Sequence, residues 1–318
     1  MLQKTFCSAL LTVILAAATT SQAQDYPSRV LRIVTSAAGA SGDLISRLIA
    51  QESGPALGQS VIVENRASNI APEVVAKAPA DGYTLLEGGS VIWLTPLMQR
   101  KPNWDVAQDF APVTLVERTP NVLVVHPSLP VKSVTDLISL ARSRPGELNY
   151  ATSAAGASSH LAGELFKQSA RVSVVWVPYK GSAQAAIAMM SGEAQIAFSN
   201  AGSVLPLVKT RKLIALATTG TRRSLSFPQL TTIADAGLPG FEVESIDAIF
   251  VPARTPSAIV RRLNQEIVRA LNQPDSKSRL LLVGAEIATS SPEQLATVIT
   301  SETARWGRLI REANIRVD

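Results

Sequence analysis

Cysteine is nearly absent from this chain of 318 residues: Cys7 is the single one, and His126 and His160 are the two histidines. Cys7 lies in an apolar N-terminal stretch, directly after Phe6, without the small residue that precedes a lipid-modified cysteine. Beyond it there is no thiol, which excludes a disulfide, a cysteine nucleophile and a thiolate metal site. The two histidines show no H-x-x-x-H or H-E-x-x-H spacing, so no transition-metal centre is expected. Aromatic residues make up 5% of the chain, and the formal charge of +5 is spread along it rather than gathered in a stripe. That pattern does not suit a nucleic-acid-binding module. After residue 23 no segment is continuously apolar for ~20 residues, the length a membrane helix needs. Neither a G-x-S-x-G elbow nor a P-loop occurs, and no well-placed G-x-G-x-x-G, so no nucleotide or other cofactor is expected.

What is present begins with a leader. Lys4, an apolar core from Phe6 to Ala18 and a small-x-small site at Ser21-Gln22-Ala23 follow the plan of a cleavable signal peptide, residues 1–23. About 295 residues would remain, enough for two domains. Their strand and helix patterns alternate, as in an α/β sheet protein. Val30–Thr35, Val61–Val63, Tyr83–Leu86, Asn121–Val125, Leu148–Ala151, Val174–Val177, Gln195–Phe198 and Leu213–Ala217 read as strands. The first helix carries Leu44, Ile45, Leu48 and Ile49 on one face and ends at Gly54-Pro55; others read at Ser133–Arg144, Leu161–Gln168, Gln184–Met190, Pro256–Leu271 and Pro292–Ala313. Two extended stretches, Val113–Val125 and Phe241–Val251, predict crossings between two lobes. Residues 25–118 with 245–318 would form the first lobe and 119–244 the second.

Two loops stand out. Val34-Thr35-Ser36-Ala37-Ala38-Gly39-Ala40-Ser41-Gly42-Asp43 and Tyr150-Ala151-Thr152-Ser153-Ala154-Ala155-Gly156-Ala157-Ser158-Ser159-His160 each leave a strand and enter an amphipathic helix. Such a turn presents backbone N–H groups at the positive end of a helix dipole, a seat for a carboxylate. Ser36, Ser41, Thr152, Ser153 and Ser158 add hydroxyls, although each serine taken singly also suits an ordinary N-cap. Asp43 either stabilises its helix or accepts a hydrogen bond from a ligand amine or hydroxyl. His160 either supports its loop or touches the ligand. A Ser-His hydrolase is disfavoured because residues one or two apart on a helix do not face one another.

Several motifs carry a family resemblance along the whole chain after the leader. They are Val63-Glu64-Asn65-Arg66, Ala80-Asp81-Gly82-Tyr83-Thr84-Leu85-Leu86, Asp109-Phe110-Ala111-Pro112-Val113, His160-Leu161-Ala162-Gly163-Glu164-Leu165-Phe166, Val177-Pro178-Tyr179-Lys180-Gly181 and Ala236-Gly237-Leu238-Pro239-Gly240-Phe241. In these the chain resembles the extracytoplasmic solute receptors of tripartite tricarboxylate transporters, the Bug-type family. The resemblance implies a two-lobe periplasmic binding protein (type II, Venus flytrap) with two crossover strands as its hinge. It implies a monomer that is not an enzyme, closes on a small carboxylate-bearing solute and delivers it to membrane permease subunits. The solute would be a dicarboxylate, an aromatic acid or an amino acid. The ligand-binding set it points to is Ser36, Ala38, Gly39, Ala40, Ser41, Asp43 and Ser90 from one side, and Thr152, Ser153, Gly156, Ala157, Ser158, Tyr179, Ser199 and Asn200 from the other. The chain departs from the family pattern in its first loop, in Ser199-Asn200 where an acid is common, and in Trp93, whose ring would suit an aromatic or less polar acid. A secreted serine hydrolase and a ligand-sensing adaptor for a membrane sensor are the alternative readings.

Overall fold

The computed structural model describes residues 26–316 except Ala40 and Ser68; the expected leader and Ala40 lie outside the described residues. The first strand-helix-strand unit shows why the local pattern folds as it does. β1 (Leu31–Thr35) is buried almost throughout, and α1 (Ser41–Leu57) returns over it with Ile45, Leu48 and Ile49 inward, an i, i+3, i+4 spacing. β1 pairs in parallel with β2 (Val61–Asn65) and β3 (Thr84–Gly89), as a helical crossover requires. Leu44 is exposed rather than inward, and α1 continues through Pro55 to Leu57 before the left-handed Gly58. Between these strands lies the short α2 (Ala71–Ala76), and α3 (Val91–Met98) and α4 (Val106–Asp109) follow β3.

β4 (Phe110–Val125) is the long element of the fold. Its first part, to Pro120, pairs antiparallel with β9 (Glu244–Pro252), which in turn pairs with β3. From Asn121 onward it pairs instead with β7 (Ile196–Asn200) and β8 (Ile214–Thr218). β5 (Asn149–Thr152) and β6 (Val175–Pro178) complete that half, giving the order β2-β1-β3-β9-β4-β7-β5-β6 with β8 beside β4. One curled sheet therefore runs through both halves of the molecule, and β4 and β9 are the strands that join them.

The remaining helices are α5 (Val134–Ser143), α6 (Ser158–Ala170), α7 (Ser182–Ser191), α8 (Ala201–Lys209), α9 (Ser257–Leu271), α10 (Pro274–Leu282) and α11 (Pro292–Glu312). Helices α3, α8 and α10 occupy stretches without a helical expectation in sequence. Pro96 and Pro206 lie inside the first two, and α10 exposes Leu282. Leu31, Ile33, Ile45, Leu85, Ile249 and Leu263 form an apolar cluster in the first half, and Val122, Val124, Met189, Ala197 and Phe227 one in the second. A third cluster spans both halves and holds Trp93, Phe166, Phe198, Phe241, Phe250 and Trp306. Its rings meet in pairs: Phe166 to Phe198 at 5.6 Å, Phe198 to Phe241 at 6.4 Å and Trp93 to Phe250 at 6.4 Å between centroids. Trp93 is thus a core residue, 1% exposed, because its ring packs against Phe250 within this cluster. It does not give the cleft the aromatic lining expected from sequence.

Candidate functional site

Both Gly/Ser loops end on β4. Ser41, which opens α1, donates from Oγ to Glu117 Oε2 at 3.1 Å. Ser158, which opens α6, donates from Oγ to Asn121 Oδ1 at 3.4 Å. The two anchor residues are four positions apart on one strand, a span of roughly 13 Å at strand rise. Two helix N-termini separated by more than a hundred residues in sequence therefore converge on one floor.

The loops are built alike. In the first, Gly39 adopts φ 82° and its N–H donates to Asp43 Oδ2 at 2.9 Å; in the second, Gly156 adopts φ 77° and its N–H donates to His160 Nδ1 at 3.1 Å. Only glycine takes that left-handed backbone without strain. Asp43 is further held by Asn65 Nδ2 at 2.8 Å and Arg47 Nε at 3.1 Å. These bonds keep its carboxyl below the ordinary range even though burial opposes ionisation. Asn65 also donates to the Ser36 carbonyl at 2.8 Å, so Ser36 enters the structure through its backbone. Ala38 is exposed.

His160 is buried and stacks on Trp176, with centroids 4.1 Å apart. Burial pushes its pKa down to about 4, so the ring is neutral and Nδ1 accepts from its loop. Trp176 Nε1 donates to Thr152 Oγ1 at 2.8 Å, and Ser153 N donates to Ser159 Oγ at 3.3 Å. His160 supports the loop, and Ser158 and Ser159 bond elsewhere than to its ring.

The halves touch beside the second loop. Ser90 Oγ donates to the Gly156 carbonyl at 2.9 Å, and a side chain at Gly156 would run into Met98. Ala157 precedes α6 without a side-chain cap bond. Asn200 Nδ2 reaches Ser245 Oγ on β9 at 3.5 Å, and Ser199 stands opposite Val122 on β4. Tyr179 is directed elsewhere: its hydroxyl donates to Glu193 Oε1 at 2.8 Å, on the segment entering β7. The structure thus brings Ser41, Ser158 and Asn200 onto β4 and β9 and Ser90 onto Gly156, keeps Thr152 and Ser153 bonded to Trp176 and Ser159, and takes the Tyr179 hydroxyl out of that group.

Sequence reasoning missed four residues at this floor. Glu87 and Glu117 are 2% and 1% exposed, and Asp247 is partly exposed. Asp247 faces Glu117 across the β4–β9 ladder and Gly89 across the β3–β9 ladder. Thr35 Oγ1 donates to Glu87 Oε2, and Asp247, across the ladder from Glu117, is among the groups that raise the pKa of the Glu117 carboxyl. Side chains at Gly42 and Gly89 would collide with Glu87 and Asp247, so these glycines make room for the carboxyls. Removal from water raises the pKa of all three, that of Glu117 up to about 8, and each carboxyl's neighbours add to it for Glu87 and Glu117. Asn121, the fourth, is fully buried, and its Nδ2 has no partner among the described residues. The available signal was an acid set inside apolar runs, as in Leu115-Val116-Glu117 and Ile246-Asp247-Ala248-Ile249.

Known proteins resemble this chain over most of its length. Residues 45–315 match the tripartite tricarboxylate transporter family receptor, TctC. BugT of Bordetella pertussis is 33% identical over 93% of this chain and 92% of its own length. A protein of Pseudomonas sp. strain P51, encoded in the tcbD-tcbE intergenic region, is 35% identical over 92% of this chain and 89% of its own. Among solved structures, Rpa4515 of R. palustris with adipate superposes at a TM-score of 0.86 with 38% identity, covering 92% of this chain and 99% of that one. MatC from Rhodopseudomonas palustris with bound malate superposes at 0.82 with 29% identity, covering 90% of this chain and 99% of that one.

Proposed function

The chain belongs to the tripartite tricarboxylate transporter receptor family, and from that premise we propose that it captures a small carboxylate-bearing solute between two lobes. Residues 25–118 with 245–318 make one lobe and 119–244 the other. The change of partners along β4 at Pro120 and Asn121 supports that division. β4 and β9 are then the hinge, and the solute lies over them between the loops at Ser41 and Ser158. The convergence of both loops on β4 carries this reading.

Closure follows from binding. A solute that touches both loops only when the lobes meet favours the closed arrangement by its differential affinity for it. Ser90 on Gly156 is the contact that such closure makes within the protein. Residues 1–23 direct export to the periplasm, where the loaded receptor meets the permease subunits of its transporter. It binds its solute and releases it unchanged. The bound adipate and malate of the two R. palustris structures make short-chain dicarboxylates the first compounds to try.

Thermal shift with di- and monocarboxylates, aromatic acids and amino acids tests the reading. A ligand at 100 times its Kd stabilises by ~2.7 kcal/mol. Ser41→Trp and Ser153→Trp, which fill one loop each, should abolish the shift and keep the fold. A chain that gains no stability from any acid but turns over esters or amides is not a receptor.

A further inference from the structure

The two ends of the cleft floor differ in charge. At the first loop, three donors already end on the chain's own carboxylates: Thr35 Oγ1 on Glu87, Gly39 N on Asp43 and Ser41 Oγ on Glu117. Asp43 has its cation in Arg47, at 3.0 Å. Glu87, Glu117 and Asp247 have none, for no ion pair formed among the described residues includes them. Glu87 Oε1, fully buried, lacks even a hydrogen-bond donor among the described residues. Buried carboxyls without a cation are costly, and they recover that cost when a positive group or protons arrive.

The other end has the opposite need. Around Thr152–Ser158 the described residues place no acid against the loop's hydrogen bonds, and His160 is neutral. Asn121 Nδ2 is a buried donor with no acceptor among the described residues, beside Ser158. The carboxyls gathered at Glu117 and the unpartnered donor of Asn121, four positions further along β4 and roughly 13 Å away, describe a guest with a donor at one end and an acceptor at the other. Of the three acids, Asp247 retains exposure and adjoins Ser41, so it is the one a guest meets first.

We propose that the solute is an amino-carboxylic acid with its two charges at opposite ends, its ammonium group held by Asp247 with Glu117 and Glu87 behind it, and its carboxylate held by Asn121 and the Thr152–Ser158 loop. This rests on the receptor reading and narrows it. A dicarboxylate of the same length would set its second carboxylate against Asp247, the acid of the three that holds its proton least tightly.

Matched pairs differing only at that end provide the test: 6-aminohexanoate against adipate, and 4-aminobutanoate against succinate, titrated calorimetrically into the purified receptor at pH 7.5. The amino acid of at least one pair should bind ten times or more tighter than its diacid. Asp247→Asn should shift that ratio at least tenfold toward the diacid. Glu117→Gln, which keeps a neutral hydrogen-bonding group at that position, should change the ratio less than Asp247→Asn does while melting no lower than wild type, which separates recognition by Asp247 from folding. A diacid that binds as tightly as its amino partner, or an Asp247→Asn ratio equal to wild type, overturns the proposal and leaves protons as what neutralises the cluster. If no amino acid, monoacid or diacid of two to six carbons binds, the receptor reading falls along with it.

Discussion

Asp43 and His160 hold equivalent places in the two halves: each stands in the first turn of a helix and accepts the N–H of a left-handed glycine four residues earlier. One acceptor is anionic and the other neutral. The device fixes each loop before any solute arrives, so that binding does not have to order it. Truncating either acceptor leaves a glycine N–H without its partner, which costs about 1–3 kcal/mol where the group is buried. His160→Ala should lose at least that much in urea denaturation, because the stacked contact with Trp176 goes as well. His160→Asn, which keeps an acceptor at similar reach, should lose less. Both should weaken solute binding through a looser second loop.

The buried acids make alkaline conditions unfavourable. The folded chain holds protons on Glu117 and Glu87 more tightly than the unfolded chain does, because burial and the neighbouring Asp247 raise both. Their contribution is complete below the ordinary carboxylate range and is lost as pH rises toward about 8, the value for Glu117. Between pH 6.5 and 8.5 the melting temperature of the solute-free protein should therefore fall. Glu117→Gln, a neutral shape match, should flatten that slope. An unchanged slope in the variant means that Glu117 is not the titrating group.

His160 acts on the other side of neutrality. Its folded pKa of about 4 lies below the usual 6.5, so its contribution is full above pH 6.5 and drains as pH falls toward 4. The shift corresponds to a loss on the order of 3 kcal/mol across that range. Equilibrium unfolding at pH 7 and pH 4.5 should show the loss in wild type and a smaller one in His160→Asn. Asp43, whose pKa is lowered, adds its own loss only at more acid pH, as its carboxylate becomes protonated.

Much of this was legible in the chain. The alternation of strand and helix, both crossing segments and the two Gly/Ser loops follow from periodicity and turn chemistry, and β4 and β9 lie where Val113–Val125 and Phe241–Val251 predict. Pro96 and Pro206 hid two helices, since proline ordinarily ends one; tertiary packing of Trp93 and Val204 carries them through it. The acids at the floor were hidden for a different reason. Glu87, Glu117 and Asp247 are spaced up to 160 positions apart, and only the β3–β9–β4 ladder brings them together. Reading the first loop as an anion seat followed from its backbone, and that backbone says nothing about acids arriving from other strands.

A last relationship concerns how the halves meet away from the loops. Gly202, at the start of α8, and Gly284, just after α10, lie backbone against backbone: a side chain on Gly202 would collide with the Val283 carbonyl, and one on Gly284 with Gly202. Gly284 also needs its left-handed backbone at φ 81°, so substitution there strains the turn itself, whereas Gly202 is constrained by space alone. Gly202→Ala is therefore the cleaner probe. The added methyl leaves α8 intact, and alanine favours the helix by ~1 kcal/mol over glycine. It pushes against α10 only while the halves are together. The variant should fold normally, show a larger radius of gyration in solution with saturating solute, and bind that solute at least tenfold more weakly, all through the closed arrangement. Wild-type affinity in Gly202→Ala would mean that closure does not need this contact.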